Sequence, residues 1–283
     1  MTRRLFIAVL LLLSTLVVQA HAETDTIYKK VIKAQTINCG YAEWPPFLAV
    51  DPNTKQAAGI MRDIWDLIGK KLDLKIEWTT LVGWGDIMES VRSHKIDVFC
   101  VGMWPDTGRT KNLLFSRPAY YSAAYLYSRS DDLRFDNNYE KLNDPAFTVV
   151  GQEGDLTATV FNLKFPKART AHIPPIAQQT DMLLDVITRK GDVTLIDVPY
   201  ANEFAKTNPG KIRKVKGPPL TLVPVVLPLA VGEYQLKNML DSALNDLIND
   251  GTIAALIKKH GAQETYAPEP DVRIPSSVAG ARP

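Results

Sequence analysis

Apolar positions along this chain switch repeatedly between strand spacing and helix spacing. Residues 33–39 read as a short apolar strand that ends at Gly40. Residues 60–72 repeat apolar side chains at helical spacing, through Ile60, Ile64, Leu67 and Ile68. Residues 73–79 are strand-like, 86–93 helical through Ile87, Met88 and Val91, and 96–101 strand again. That βαβαβ order predicts a parallel sheet with helices on its faces. Such sheets bind ligands at the carboxyl ends of their strands, where the strand order switches. Gly40 and Gly102 fall at two such ends.

The second half repeats the pattern. Residues 119–128 form a first crossing between lobes, and 147–151 open a second α/β unit. A helix at 180–189, a buried strand at 193–197 and the start of a helix at 201–206 follow. Residues 221–231 are apolar and punctuated by prolines, which marks a return crossing. Residues 235–248 are strongly amphipathic (Leu236, Met239, Leu240, Leu244, Leu247) and stop at Asp250-Gly251. Helical spacing resumes at 252–260, before Gly261. The tail, 266–283, is rich in Pro, Gly and Ser and reads as disordered.

Residues 1–22 carry Arg3 and Arg4, an apolar run over 5–18, and Ala20-His21-Ala22. This is the pattern of a secretory signal peptide cleaved near Ala22. The run is too short to span a bilayer comfortably, and no second one follows. No cysteine stands at the cleavage point to take a lipid anchor. The reading is a soluble periplasmic protein that starts near Glu23. Removing Arg3 and Arg4 takes Lys+Arg from 33 to 31, against 31 Asp+Glu. The resulting zero net charge gives no support for a nucleic-acid partner.

A span of about 240 ordered residues exceeds one typical core and suggests two lobes. Cys39 and Cys100 are compatible with a disulfide in an oxidising compartment. Spacing alone leaves that and two buried thiols equally open. His94, His172 and His260 show no metal-ligand spacing, so neither a metal nor another cofactor is expected.

The most informative segment is GMWPDTGRTKNLLFSRPAYY, residues 102–121. It resembles the bacterial extracellular solute-binding proteins of family 3, the polar amino-acid type. There the segment reads roughly G-M-T-x-T-x-x-R and then F-S-x-P-Y-Y. Five further segments resemble family motifs in the same order: GYAEWPPF (40–47), AGIMRDI (58–64), WGDIMESVRSHKIDV (84–98), GDVTLID (191–197) and NDGTIAALIKKHG (249–261). The likeness covers residues 36–261. It implies an α/β fold of the type II periplasmic binding protein kind, with two lobes joined by two crossing hinge segments. Lobe one would be 36–122 plus 227–261, and lobe two 123–226. The implied protein is a monomer that closes on a small-molecule ligand, an amino acid or analogue. It hands that ligand to an inner-membrane ABC permease or a sensor.

The resemblance implies particular ligand contacts. Arg109 would clamp a carboxylate, because a guanidinium fork matches it in a bidentate pair; the alternative is a loop arginine paired with Asp106. Asp197, after the apolar run VTLI, would accept from the ligand's ammonium; the alternative is a strand-end acid that starts a turn. Trp44 and Trp84 would sandwich the ligand side chain, against a core-packing role. Glu43 and Tyr41 are weaker neighbours of that wall. Gly59 and Asp63 read as structural, a turn and a first-turn acid that complements the helix dipole.

Four positions depart from the family pattern, among them Asp106, which stands where a Thr is frequent and would put a second acid near Arg109. Gly102 stands where a Ser is common, Trp104 where a small hydroxyl residue is usual, and Asp155 where a Thr begins a lobe-two helix. As a helix cap, Asp155 would occupy the donors that otherwise bind an anion. Two alternative functions follow from the same residues. One is a periplasmic enzyme similar to cyclohexadienyl dehydratase, using cleft acids for proton transfer. The other is a degenerate sensor or scaffold whose cleft is filled by Trp104 and an Arg109–Asp155 pair.

Overall fold

The computed structural model describes residues 26–267, apart from 45, 52, 55, 106, 154–155, 175–176 and 264. The signal-peptide reading, Asp106, Asp155 and residues 268–283 therefore lie outside the described residues.

The first unit runs α1 (Ile27–Ala34), β1 (Thr36–Tyr41), the short pair β2 (Ala49–Val50) and β3 (Ala57–Ala58), α2 (Ile60–Leu72), β4 (Lys75–Leu81), α3 (Ile87–Arg92) and β5 (Val98–Phe99). β1 lies between β4 and β5, parallel to both. Short β6 (Leu114–Phe115) leads to the ten-residue β7 (Tyr120–Arg129). The second unit is β8 (Thr148–Gln152), α4 (Leu156–Lys164), β9 (Arg169–Ile173), α5 (Thr180–Ile187), β10 (Val193–Ile196), α6 (Val198–Thr207) and β11 (Ile212–Lys214). The chain returns through β12 (Thr221–Val225) and β13 (Pro228–Leu229). It ends in α7 (Tyr234–Asn249), α8 (Thr252–Lys259) and β14 (Tyr266–Ala267).

The second sheet has the order β11-β7-β10-β8-β9, with β8 parallel to β9 and β10, and β7 antiparallel to β10. The two units meet on a ribbon. β12 pairs antiparallel with the first half of β7, Val225 opposite Tyr120 and Thr221 opposite Ala124. Pro224 is tolerated because β12 is an edge strand there, and proline donates no ladder bond.

Several element expectations need correction. Lys33 belongs to α1, so the first strand starts at Thr36. α1 is amphipathic only through Ile27 and Val31, both buried. Its amino end is held from far away: the Glu233 carboxylate accepts from the Ile27 and Tyr28 amides at 2.8 and 3.1 Å. A carboxylate there satisfies two orphan donors at the positive end of the helix. The expected strand at 96–101 shrinks to Val98–Phe99. Tyr266 and Ala267, read as disordered tail, form a strand on β7 opposite Ser122 and Tyr121. The crossing ribbon therefore has three strands rather than two.

Cys39 on β1 and Cys100 after β5 form a disulfide, with a Cα–Cα separation of 5.4 Å. It ties together two adjacent parallel strands just before the loops they feed. Trp65 of α2 donates its indole N–H to the Cys100 carbonyl at 2.7 Å, so the helix packs onto the same corner. Asp97 is fully buried beside it. It takes the Lys30 ammonium at 2.7 Å and the Asn38 amide at 2.8 Å, which fixes α1 and β1 to the start of β5.

Candidate functional site

Every described sequence-derived candidate except Gly59 and Asp63 follows the carboxyl end of a parallel strand. Tyr41, Glu43 and Trp44 follow β1, Trp84 follows β4, and Gly102, Trp104 and Arg109 follow β5. Asp197 follows β10 in the second sheet. Short strands and tight turns put these loops on one edge of each sheet, and the crossing ribbon joins the two sheets.

On the first edge the aromatic residues form a connected wall. The Trp44 ring lies 5.6 Å from that of Trp84, edge to face, and 4.9 Å from Phe47. Trp84 is 43% exposed and rests on Phe99 at 5.8 Å, whereas Trp44 is buried. Trp84 therefore presents a face to solvent and Trp44 backs it. Tyr41 leaves this wall and packs edge-on against Trp78, and Glu43 is exposed.

Arg109 opens a 3-10 turn, is half-buried, and donates from Nη1 to the Trp104 carbonyl at 3.1 Å. That bond fixes the guanidinium against its own loop. The Trp104 side chain is buried, and its indole N–H has no partner among the described residues. Gly102 has a structural reason for being glycine. Its φ is +83°, and a Cβ would come within 2.7 Å of Val225 on the return strand. A serine there would be strained and would collide with the crossing ribbon.

Asp197 is 1% exposed and stands at the amino end of α6 without capping it through its side chain. Its Oδ1 accepts from the Ser122 hydroxyl on the ribbon at 2.9 Å. Around it are residues that the sequence reading did not single out. Tyr120 stacks flat on Phe47 at 4.6 Å, and Tyr266 meets both rings edge-on at 4.4 and 5.9 Å. Burial raises the phenol pKa of Tyr120, Tyr127 and Tyr266, and the Asp197 charge raises all three further. All three stay protonated at neutral pH. The Tyr120 and Tyr266 hydroxyls have no hydrogen-bond partner among the described residues.

A continuous path of rings thus runs from Trp84 through Trp44, Phe47, Tyr120 and Tyr266 to the surroundings of Asp197. Tyr120 was visible as half of a tyrosine pair, and Phe47 as the end of a P-P-F motif. Nothing local pointed to Tyr266, which reaches the site through the pairing of β14. Asp106 and Asp155, the two acids expected near Arg109, lie outside the described residues. Asp63 does more than complement a helix dipole. It accepts from Lys259 at 2.8 Å and contacts His260 at 2.9 Å, clasping α2 to the end of α8. No group of three or more metal-ligating side chains occurs among the described residues.

Comparison with known proteins gives the family and the fold. The profile of the bacterial extracellular solute-binding proteins, family 3, matches residues 37–263. The chain belongs to that family. No curated relative matches the chain. Among solved structures it is similar to the ancestral amino acid-binding protein AncCDT-1, a precursor of cyclohexadienyl dehydratase, at 23% identity and a TM-score of 0.67, covering 83% of this chain and 98% of that one. It is similar to a mutant of ArgBP from T. maritima at 23% identity and a TM-score of 0.64, over 84% and 100% of the two chains. It is also similar to the periplasmic VFT2 domain of Bordetella pertussis BvgS, at 19% identity and a TM-score of 0.69, over 82% and 96%. At these identities the likeness establishes the fold, the two-lobe type II binding-protein architecture. No helix among the described residues is long and apolar enough to cross a membrane.

Proposed function

We propose that this protein captures an amino acid or a closely related small polar metabolite between its two lobes in the periplasm, and delivers it to an ABC-type permease or to a sensor. The lobes would be 36–122 with 227–261, and 123–226. The observation that carries the reading is topological. Arg109 and the Trp44–Trp84 wall share the carboxyl edge of one parallel sheet, and Asp197 stands on the carboxyl edge of the other. Arg109 would take the carboxylate end of a zwitterion, Asp197 the amine end, and Trp84 the flat or apolar part between them. Asp197 is already out of water and Arg109 would be desolvated on closure, which strengthens each pairing relative to a surface one.

The family's members are binding proteins, and the structural neighbours include an ancestral amino acid-binding protein and the substrate binding protein of an amino acid ABC transporter. These support the solute class. The signal-peptide pattern and the disulfide support the compartment. The route onward from the protein is open to two kinds of partner. BvgS is the precedent among neighbours for a periplasmic domain of this fold that is not named as a transport component.

A thermal-shift screen of the purified protein against amino acids, polyamines and small organic acids tests the proposal. A ligand at a hundred times its Kd stabilises the fold by about 2.7 kcal/mol. At least one amino acid or analogue is expected to raise the melting temperature. A screen with no shift in any class, at millimolar ligand, would remove solute capture as the function.

A further inference from the structure

We infer that the pole of the second sheet farthest from Asp197 carries a separate site, for a phosphoryl-bearing anion. A cavity of about 990 Å³ opens there, lined by five cationic side chains, Arg129, Arg134, Arg169, Arg189 and Lys190, against three acids. These residues come from the amino ends of β9 and β10, the far end of β7 and the loops beside them. They are therefore at the opposite end of the strands from the proposed solute cleft.

The cavity has a fixed floor and a movable rim. Arg129 donates to the Val186 and Gly191 carbonyls at 3.1 and 2.9 Å. Arg134 bonds Asp132 and Asp192, each at 2.6 Å, and lies over the Phe135 and Phe147 rings at 5.0 and 5.1 Å. These two guanidiniums and two carboxylates hold one another in place.

On the rim the two arginines are loosely paired. Arg189 stands 3.8 Å from Asp131 with both side chains about 70% exposed, an arrangement worth little in water. Among the described residues Arg169 donates to the Ala146 carbonyl, at 3.3 Å. Lys190 pairs with Asp185, a residue off the cavity wall. Arg169 and Arg189 can turn toward an anion at small cost, whereas Lys190 would first have to leave Asp185.

Arg189 has a φ of +65°, two residues past the end of α5, where glycine is the low-strain choice. This is an ordinary left-handed helix stop, which Gln35 and Asp73 also make after their helices, and it places the Arg189 side chain on the cavity rim. The helix dipole favours a cation at this end. It does not account for Arg169, which comes from another strand.

The chemistry of the ligand follows from the donors. Four of the five cations are arginines, whose planar forks match oxyanions. A doubly charged tetrahedral anion presents enough acceptors for several forks at once, whereas a monocarboxylate engages one or two. Such groups occur on free phosphate esters and on lipid headgroups.

The test is titration calorimetry of the purified chain with inorganic pyrophosphate at low salt, beside sedimentation with phosphatidylglycerol vesicles. Binding of pyrophosphate that weakens at least tenfold in Arg169→Ala/Arg189→Gly supports the site and a free-anion source. Binding to vesicles alone, with the same dependence, supports it with a headgroup source. Arg189→Gly by itself separates binding from folding, because glycine suits the left-handed backbone there. It is expected to raise the melting temperature while it weakens the anion. No binding of either probe at millimolar phosphoryl groups, binding indifferent to both arginines, or a weaker Arg189→Gly variant that also melts lower, would overturn the inference.

Discussion

At the residue scale, some side chains hold the ribbon and others are proposed to face a solute. Gly102 belongs to the first kind. Gly102→Ser would put a Cβ at φ +83° against Val225, and is expected to cost about 1–2 kcal/mol for the left-handed backbone alone. Chemical denaturation checks this; an unchanged midpoint would mean that the loop relaxes freely. Ser122→Ala removes a hydroxyl donor from the buried Asp197 carboxylate. A hydrogen bond to a charged group is worth about 1.5–3 kcal/mol, and a loss of that order is expected. A variant as stable as the parent would show that Asp197 draws its support elsewhere.

Much of this was legible at the level of motifs. Arg109 and Asp197 stood in recognisable positions, and both fall on carboxyl edges. The depth at which Asp197 is buried was not legible, because Tyr120, Tyr266 and Ser122 reach it through strand pairing. Nor could the sequence distinguish Gly102 as a packing requirement from Gly102 as a ligand contact. The reason is Val225, 123 residues later.

At the element scale, periodicity worked where elements were long. The helix Ile60–Leu72 and the amphipathic run that became Tyr234–Asn249 were both readable. It failed for α1, whose eight residues bury only two apolar side chains and whose first turn is satisfied by Glu233. Short helices depend on tertiary partners, and local spacing does not reveal those. The strand Tyr266–Ala267 was hidden by the Pro-rich composition around it.

The disulfide was undecided in sequence and is settled by the adjacency of β1 and β5. It closes a loop with a sequence separation of 61 residues, for which chain entropy gives about 4 kcal/mol. Cys39→Ser/Cys100→Ser is therefore expected to melt well below the parent under oxidising conditions, and to match the parent under reducing ones. Equal melting of the two proteins in the absence of reductant would show that the bond contributes nothing to the fold.

At the scale of the whole molecule, paired carboxylates couple the fold to pH, Asp132 through its near neighbours Arg129 and Arg134 and Asp63 through the distant Lys259 and His260. Burial pushes the Asp132 carboxyl up, but hydrogen bonds and charges from Arg134 and Arg129 outweigh it and leave the pKa below the ordinary value. Asp63 shows the same balance: burial raises it, while Lys259 and His260 lower it further. For a group whose folded pKa lies below its unfolded value, the stabilisation is fully present above the unfolded value, about 3.9 for Asp. It is lost as pH falls through the folded value. Stability is thus expected to be flat for these groups from pH 5 to 7 and to drop below about pH 4. Asp132→Asn should flatten that drop. An unchanged acid transition in the variant would assign it to other groups.

The central claim is that a solute is held between the two carboxyl edges, with its carboxylate on Arg109. Titration calorimetry of the best ligand from the screen, on the parent and on Arg109→Ala, tests it most directly. Arg109 is half-buried on a surface turn, so the variant is expected to fold normally. The account predicts at least a hundredfold loss of affinity for a carboxylate ligand, about 2.7 kcal/mol or more. Equal affinity in the two proteins would contradict it.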